Sequence, residues 1–419
     1  RLDDDEAARR AESVMGADNE WGQEENLFAL SNGALLRGLD VVDRADSLEL
    51  EVQTARGIRR AVLAAVHTGD ASFDGRFRGE MFPPFRGGGV DWVTPFGGRA
   101  PLAYRDRDPS LPLHLRYRFY FYMQPVPSAD AMYAQINFMQ EDDTLRFAGF
   151  TDSLMASLDR HPVRRLVLDL RYNSGGNGAL VPRFARAFIQ RAAAHPWGQL
   201  YILTGRKTFS AAILLAGALL DAVPDAVIAG EPAGAGLNHF GDPMSFDIPG
   251  GLRLDVSTIW HQMARSDDVR PYVPVNLPAM MDARDYFAGR DPVLELILGP
   301  RDTRAIESIV ATDGPAAAAA VLDARTREYG TLEWWQPHTE LRINTLGYAA
   351  LRSGDAPRAV ATFALNSTAF PGSWNAWDSY GESLAAAGRE AEAVAAYRRS
   401  LELNPGNEGA RDFLRSHAP

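Results

Sequence analysis

The chain has 419 residues, of which 46% are hydrophobic, 23% charged and 10% aromatic, so it is not a disordered protein and it is long enough for two or three domains. Its formal net charge of −11 argues against nucleic acid or an anionic membrane as the main partner. Because the sequence has no cysteine, disulfides, thiolate metal sites and a cysteine nucleophile are excluded.

The N-terminal region, residues 1–84, is predicted to combine helix and β-hairpin. It opens with "RLDDDEAARRAESV", a charged helix-forming stretch without the apolar centre of a secretory leader. Because the chain begins at Arg1, we expect that a leader has been removed and that the protein is extracytoplasmic, with a cytoplasmic location as the alternative. Further on, "SLELEVQTARGIRRAVLAAV" predicts a hairpin with Gly57 at its turn.

A long Gly, Pro and aromatic loop at residues 76–101 spans the boundary to the next region, residues 85–300. Strand and helix patterns alternate through most of that region after the loop. Strands are predicted at "AMYAQINFM", "RRLVLDLR", "GQLYILTG" and "AVIAGEP", with helices between them. The sequence "GGLRLDVSTIW" predicts a further strand that faces solvent on one side. We therefore predict an α/β fold with a mixed, largely parallel sheet.

The C-terminal region contains a repeat of 34 residues. "LGYAALRSGDAPRAVATFALNSTAFP" and "YGESLAAAGREAEAVAAYRRSLELNP" align with glycine, alanine, aromatic and proline at matching positions, which resembles the tetratricopeptide repeat. We predict two such repeats at residues 341–419, joined to the sheet domain by a connecting helix within residues 301–340. They either cap the preceding domain or form a groove for a peptide or protein partner.

Two loops follow central strands of the predicted sheet, at the edge where ligands of parallel sheets bind. The first, "RYNSGGNG" at residues 171–178, has adjacent glycines whose amides can turn toward a ligand. The second, "GRKTFSA", places Ser210 where a long apolar helix begins, and a helix start favours negative charge. Together they describe a serine nucleophile beside an oxyanion pocket. On spacing alone, two other interpretations are open: Ser210 is a helix cap, and the glycine stretch is an ordinary turn between strand and helix.

Three segments in this order, "LVLDLRYNSGGNG", "YILTGRKTFSAA" and "AVIAGEPAGAG", resemble the tail-specific protease family, peptidase family S41. "RDYFAGRDPVLELIL" resembles the closing segment of that domain in the branch with tetratricopeptide tails. The resemblance implies the ClpP/crotonase-like fold of that family. It places the nucleophile at Ser210 and the oxyanion hole at Gly175, Gly176 and Ala211, and it marks Asn173 as a supporting residue.

The family's general base, a lysine, is missing, because Ala235 and Gly236 occupy the corresponding positions. The family's glutamate three residues after the serine is also absent. A substitute base is needed, because a serine hydroxyl alone is a poor nucleophile. We predict His239, in the loop after the "AVIAGEP" strand, with Asp242 to orient its imidazole; Lys207 is a second candidate.

These features predict a serine peptidase that hydrolyses peptide bonds in a peptide or protein substrate, with no cofactor, no metal and no membrane span. The alternative is an inactive member of the same fold that binds a small molecule or peptide, as in the family's retinoid-carrying branch. In that case the aromatic residues of the 76–101 loop (Phe82, Phe85, Trp92 and Phe96) would line an apolar ligand site.

Overall fold

The structure, a computed structural model, describes residues 4–13, 17–25, 33–54, 56–64, 113–115, 120–141, 146–192, 194–248, 252–336 and 340–417. The 76–101 loop and its four aromatic residues lie outside these ranges.

The described N-terminal residues form three short helices and a hairpin. The elements are α1 (Asp4–Glu12), α2 (Glu20–Glu25), α3 (Gly33–Gly38), β1 (Ser47–Thr54) and β2 (Gly57–Ala64). β1 and β2 pair antiparallel, and Gly57 lies at the turn with φ 105°, a value that glycine adopts without strain. The predicted hairpin is therefore confirmed.

In the centre of the chain, the described residues form eight strands, which are β3 (Phe121–Val126), β4 (Ala131–Ile136), β5 (Arg165–Asp169), β6 (Gln199–Thr204), β7 (Val227–Gly230), β8 (Asn238–Ile248), β9 (Leu252–Gln262) and β10 (Leu277–Pro278). Six of them form one sheet in the order β10-β7-β6-β5-β4-β3, in which only the β3–β4 pair is antiparallel. The predicted mixed, largely parallel sheet is confirmed.

Helices cover both faces of this sheet. The helices between and after its strands are α4 (Phe147–Arg160), α5 (Val181–Ile189), α6 (Ala211–Ala222), α7 (Ala283–Phe287) and α8 (Pro292–Leu298). Leu166 and Leu168 of β5 pack in one core with α4, α5 and α6, whereas Val167 between them packs in a second core with α8. Because successive strand residues point to opposite faces, one buried strand serves two cores, and α6 is buried on nearly every side.

Strands β8 and β9 form a separate two-stranded sheet, the β8–β9 hairpin, outside the main sheet. The solvent-facing strand predicted at residues 250–260 is confirmed as β9. The segment that contains His239 was predicted as a loop, and this is wrong, because it is the start of β8.

The C-terminal part is entirely helical, with α9 (Ile306–Thr312), α10 (Pro315–Tyr329), α11 (Glu340–Arg352), α12 (Ala356–Ala369), α13 (Trp374–Ala386), α14 (Glu390–Leu403) and α15 (Glu408–Ser416). A Cβ on Gly347 would lie 2.5 Å from the Phe363 ring, and one on Gly381 would lie 3.0 Å from the Tyr397 ring. Each repeat therefore uses a glycine to admit the aromatic side chain of its second helix.

The helical part contacts the sheet domain directly. The Arg342 guanidinium at the start of α11 donates to the carbonyl of Leu220 near the end of α6, at 2.8 Å. Trp334, which is buried, packs edge-on against Trp21 with 5.6 Å between ring centroids. Trp334 thus joins the segment before α11 to α2 and to the core of the sheet.

Candidate active site

The two loops that follow β5 and β6 are joined by buried hydrogen bonds. We call residues 171–178 the glycine loop and residues 205–210 the serine turn. The buried hydroxyl of Thr208 donates to the Leu170 carbonyl at 2.8 Å, and the Phe209 N–H donates to the Asn173 carbonyl at 3.0 Å. Because β5 and β6 are parallel neighbours, their carboxyl ends bring the glycine loop and Ser210 together.

Ser210 lies in a strained backbone conformation at the N-terminal end of α6, with φ 50° and ψ −124°. A non-glycine residue held in such a region costs about 1–3 kcal/mol, which the surrounding structure must supply. Its side chain makes no capping hydrogen bond to the helix. The alternative that Ser210 is a plain helix cap is therefore wrong, and the hydroxyl is not committed to the helix.

The glycine loop packs its backbone against this serine. Gly175 and Gly176 have φ values of 112° and 121°. A Cβ on Gly175 would lie 2.7 Å from Ser210 Cβ and 3.1 Å from Ser210 Oγ, and one on Gly176 would lie 2.4 Å from the Met139 carbonyl oxygen. Both positions require glycine, because a side chain would displace either the serine or the neighbouring backbone.

Two amides at this place are available as donors. The Gly175 N–H donates to Asn173 Oδ1 at 2.9 Å, so the prediction that it belongs to the oxyanion hole is wrong. The N–H groups of Gly176 and Ala211 have no hydrogen-bond partner among the residues that the structure describes. Asn173 is fully buried and also donates to the Ile136 carbonyl at 3.0 Å, so it fixes the shape of the glycine loop.

His239 is buried, with 3% exposure, beside the residue that precedes Ser210. Its ring centroid lies 6.0 Å from that of Phe209 and 5.4 Å from that of His261. Nδ1 lies 3.1 Å from the Gly236 carbonyl oxygen, which can only accept, so Nδ1 carries the hydrogen and Nε2 the lone pair. Burial, followed by the charge of His261, lowers the pKa of His239 and keeps the imidazole neutral.

The hydrogen bonds predicted for His239 are not formed. Its Nε2 has no partner in the described part of the chain, so it makes no hydrogen bond to Ser210. Asp242 instead contacts the other histidine, with 2.8 Å between Asp242 Oδ2 and His261 Nε2, and the prediction that Asp242 orients His239 is wrong. Asp242 has φ 51°, an irregularity in β8 that a pattern of alternating residues does not reveal.

Packing explains why no lysine follows the "AVIAGEP" strand. Ala235 is fully buried in the sheet core, and a Cβ on Gly236 would lie 2.2 Å from the Arg270 carbonyl oxygen. A long side chain at either position would require the backbone to move. Lys207, the second candidate base, is half-buried in the serine turn.

A buried charged network that sequence reasoning missed lies beneath the glycine loop. Arg171 binds both Asp169 and Asp291, with Nη2 distances of 2.6 and 2.8 Å, and the Tyr133 hydroxyl donates to Asp169 at 2.6 Å. His114 Nδ1 lies 2.7 Å from Asp291 Oδ2. Burial alone would raise the pKa of Asp291, but Arg171 and His114 outweigh it and hold that pKa well below its ordinary value.

Among the residues that the structure describes, no group of three or more histidine and acidic side chains has the geometry of a metal site. None of the helices in the described ranges combines the length and the apolar character that a bilayer crossing needs.

Comparison with known proteins gives a family match only at the C-terminus, where residues 374–414 match the tetratricopeptide repeat family. None of the curated proteins matches the chain. Similar solved structures include a photosystem II D1 C-terminal processing protease (19% identity, TM-score 0.29, 39% of this chain and 48% of that one). Others are a lipoprotein from Streptococcus agalactiae (13%, 0.28, 41% and 69%) and a Bacteroides fragilis structure assigned to the S41 proteases (15%, 0.27, 49% and 57%). The chain therefore spans about half the length of the D1 processing protease.

Proposed function

We propose that this chain is a serine hydrolase that cleaves peptide bonds, with Ser210 as nucleophile and the amides of Gly176 and Ala211 as the oxyanion hole. The observation that carries the proposal is the placement of Ser210. Its hydroxyl makes no cap, its backbone is strained, and it lies against Gly175 beside two amides without partners. Strain and unpaired donors cost stability, and proteins retain them chiefly at functional sites.

In the proposed reaction, Ser210 Oγ attacks the substrate carbonyl carbon and its proton moves to His239 Nε2. The negative charge that develops on the carbonyl oxygen is held by the Gly176 amide of the glycine loop and the Ala211 amide at the start of α6. The imidazolium then gives its proton to the leaving amine. Water attacks the acyl-enzyme and passes a proton to His239, which returns it to Ser210 Oγ as the acid product leaves.

His239 is proposed as the base because it is a buried neutral imidazole with a free Nε2, next to Phe209. Hydrogen bonds between base and nucleophile are often absent without substrate and form in the complex. The substrate class, a peptide or protein segment, and the membership in a tail-specific branch without the lysine base are part of the same proposal. They rest on the sequence motifs around Asn173, Ser210 and Glu231.

A fluorophosphonate probe tests the proposal directly. We expect the folded chain to react at one serine, Ser210→Ala to abolish the labelling, and the matched control Ser257→Ala on the exposed face of β9 to leave it unchanged. His239→Gln should slow labelling by roughly 10²–10⁴-fold, the usual contribution of a general base. Labelling that survives Ser210→Ala would remove Ser210 from the mechanism.

The second candidate function is binding without catalysis, and one observation favours it. In this structure the Nε2 of His239 touches no donor or acceptor of the described chain, Ser210 included. A chain that is folded by circular dichroism but does not react with the probe at any pH would support this binding function and overturn the hydrolase.

A further inference from the structure

The β8–β9 hairpin carries a stripe of exposed apolar side chains. Its two strands pair in register along their length, with Phe240 opposite Trp260, Met244 opposite Val256, and Phe246 opposite Leu254. The exposed fraction of each of these six side chains lies between 43% and 56%. All six lie at even-numbered positions of the two strands, with Asp242 and Thr258 between the Phe240 pair and the Met244 pair, so strand geometry places the six side chains on one face of the hairpin, which we call the apolar stripe.

The opposite face of the hairpin is turned toward the rest of the molecule at its base. His239 and Gly241 alternate with the stripe residues, and both are buried. Ser245 bonds to Asp255 on that face farther out. Ile259 of that face is also 48% exposed, but its exposed neighbours there are Ser245, Asp255 and Ser257, so the apolar stripe is the more apolar face of the ribbon.

A two-stranded ribbon with such a face is an incomplete unit. Isolated hairpins are at best marginally stable in water, and independent stability needs further strands or packing against another element. None of the other described helices and strands packs extensively on this hairpin. An exposed apolar patch of several hundred Å² on a protein surface commonly marks a contact with another molecule.

We propose that the apolar stripe is the interface of a homodimer in which the hairpins of two copies pack face to face. The stripe is self-complementary: a twofold axis near the middle pair, Met244 and Val256, lays the Phe240 end of one copy on the Phe246 end of the other. In this arrangement the side chains at both ends of the apolar stripe are covered by the second copy. None of the six residues is charged, so the stripe offers nothing to select a basic partner, although the chain has a net charge of −11.

The area agrees with a dimer. Aromatic side chains bury about 150–250 Å² each and aliphatic ones less, so the three aromatic and three aliphatic side chains of the stripe, at half exposure, offer up to about 500 Å² per copy and about 1,000 Å² per pair. This reaches the lower limit for a specific interface, without any contribution from the free strand edges. Because two copies of like net charge repel at long range, added salt should strengthen the dimer rather than weaken it.

Sedimentation velocity on the full chain, at increasing protein concentration, tests the proposal. We expect a species of twice 45.9 kDa that gains population with salt. Val256→Lys, on the stripe, should weaken the dimer by roughly tenfold or more, whereas its exposed neighbour Ser257→Lys, on the opposite face, should leave the dissociation constant within about twofold. A chain that stays monomeric at every concentration, or two lysine variants that behave alike, would overturn the proposal.

The absence of cysteine allows a second test that does not depend on weakening the hairpin. Met244→Cys lies near the proposed axis and, because sheets that pack face to face are about 10 Å apart, should be joined between two copies by a short bismaleimide cross-linker, while Ser257→Cys should not be cross-linked. Equal cross-linking of both variants would overturn the face-to-face arrangement. Neither measurement depends on Ser210 reactivity, so the dimer and the proposed hydrolase can fail separately.

Discussion

The glycine loop and the serine turn are held by buried polar side chains, whereas His239 belongs to a hairpin whose outer face is exposed. Asn173 and Thr208 are fully buried: the Asn173 side chain bonds to the Ile136 carbonyl of β4, its own carbonyl accepts from the Phe209 N–H, and the Thr208 hydroxyl donates to the Leu170 carbonyl. His239 is presented by β8, and its Nε2 has no partner among the described residues. Ser210 and the Gly176 and Ala211 amides are thus fixed by elements of the sheet domain, whereas the position of His239, the proposed base, depends on the hairpin.

The largest expected effect comes from the buried charged network beneath the glycine loop. Asp291→Asn leaves Arg171 buried with one charged partner fewer, so we expect a loss of about 3–5 kcal/mol in the free energy of unfolding. Urea denaturation measures it. The matched control is Asp152→Asn, which removes an exposed ion pair with Arg183 and should cost no more than about 1 kcal/mol.

The same substitution has a defined pH dependence. The pKa of Asp291 is held below its ordinary value of 3.8, so its contribution is fully present above pH 3.8 and is lost as the pH falls below it. The difference between the wild type and Asp291→Asn should therefore shrink in acid. A difference that is the same at every pH would show that the asparagine acts through packing and not through charge.

The next prediction concerns His239, the residue that the hairpin contributes. Proton transfer to His239 requires the neutral imidazole, and its pKa lies below the ordinary 6.5. The rate of fluorophosphonate labelling should be constant above pH 6.5 and should fall about tenfold per pH unit once the pH is below the pKa of His239. A midpoint well above pH 7 would mean that another group, such as Lys207, is the base.

The smallest effect concerns Ser210 itself. Glycine adopts positive φ without the cost borne by serine, so Ser210→Gly should be more stable than Ser210→Ala by about 1 kcal/mol. Thermal unfolding of the two variants, measured side by side, gives the difference. Because both variants lack the hydroxyl, its loss does not contribute to that difference. An alanine variant as stable as the glycine variant would mean that the turn relaxes and stores no strain.

The sheet and the position of Ser210 could be predicted because their signals are local. β5, β6 and α6 are apolar runs bounded by turn residues, and a serine at a helix start is visible in the sequence itself. The contact of Arg171 with Asp291 joins residues 120 positions apart, and no pattern in one sequence indicates it. The free amide of Gly176 and the engaged amide of Gly175 differ only in the direction in which each N–H points.

The sequence predicts only one of the two strands of the hairpin, because the two strands differ in pattern. β9 alternates regularly, whereas β8 contains Gly241, Pro243 and the positive φ of Asp242, and it was predicted as a loop. That error carried into the site, since a loop histidine was paired with the nearest acid along the chain. Asp242 instead contacts His261 on the neighbouring strand, although the two are not paired in the ladder, and the positive φ of Asp242 interrupts the regular alternation at this point.

The hydrogen bond from Arg342 to the Leu220 carbonyl also bears on what counts as one unit of this protein. Sequence periodicity separates the repeats from the sheet domain near residue 340. The structure places the donor of this bond in the first repeat helix and its acceptor in the helix that begins beside Ser210. Cutting the chain at the periodicity boundary would remove the guanidinium from the far end of α6, so the boundary that the repeat pattern gives is not the boundary of the contacts.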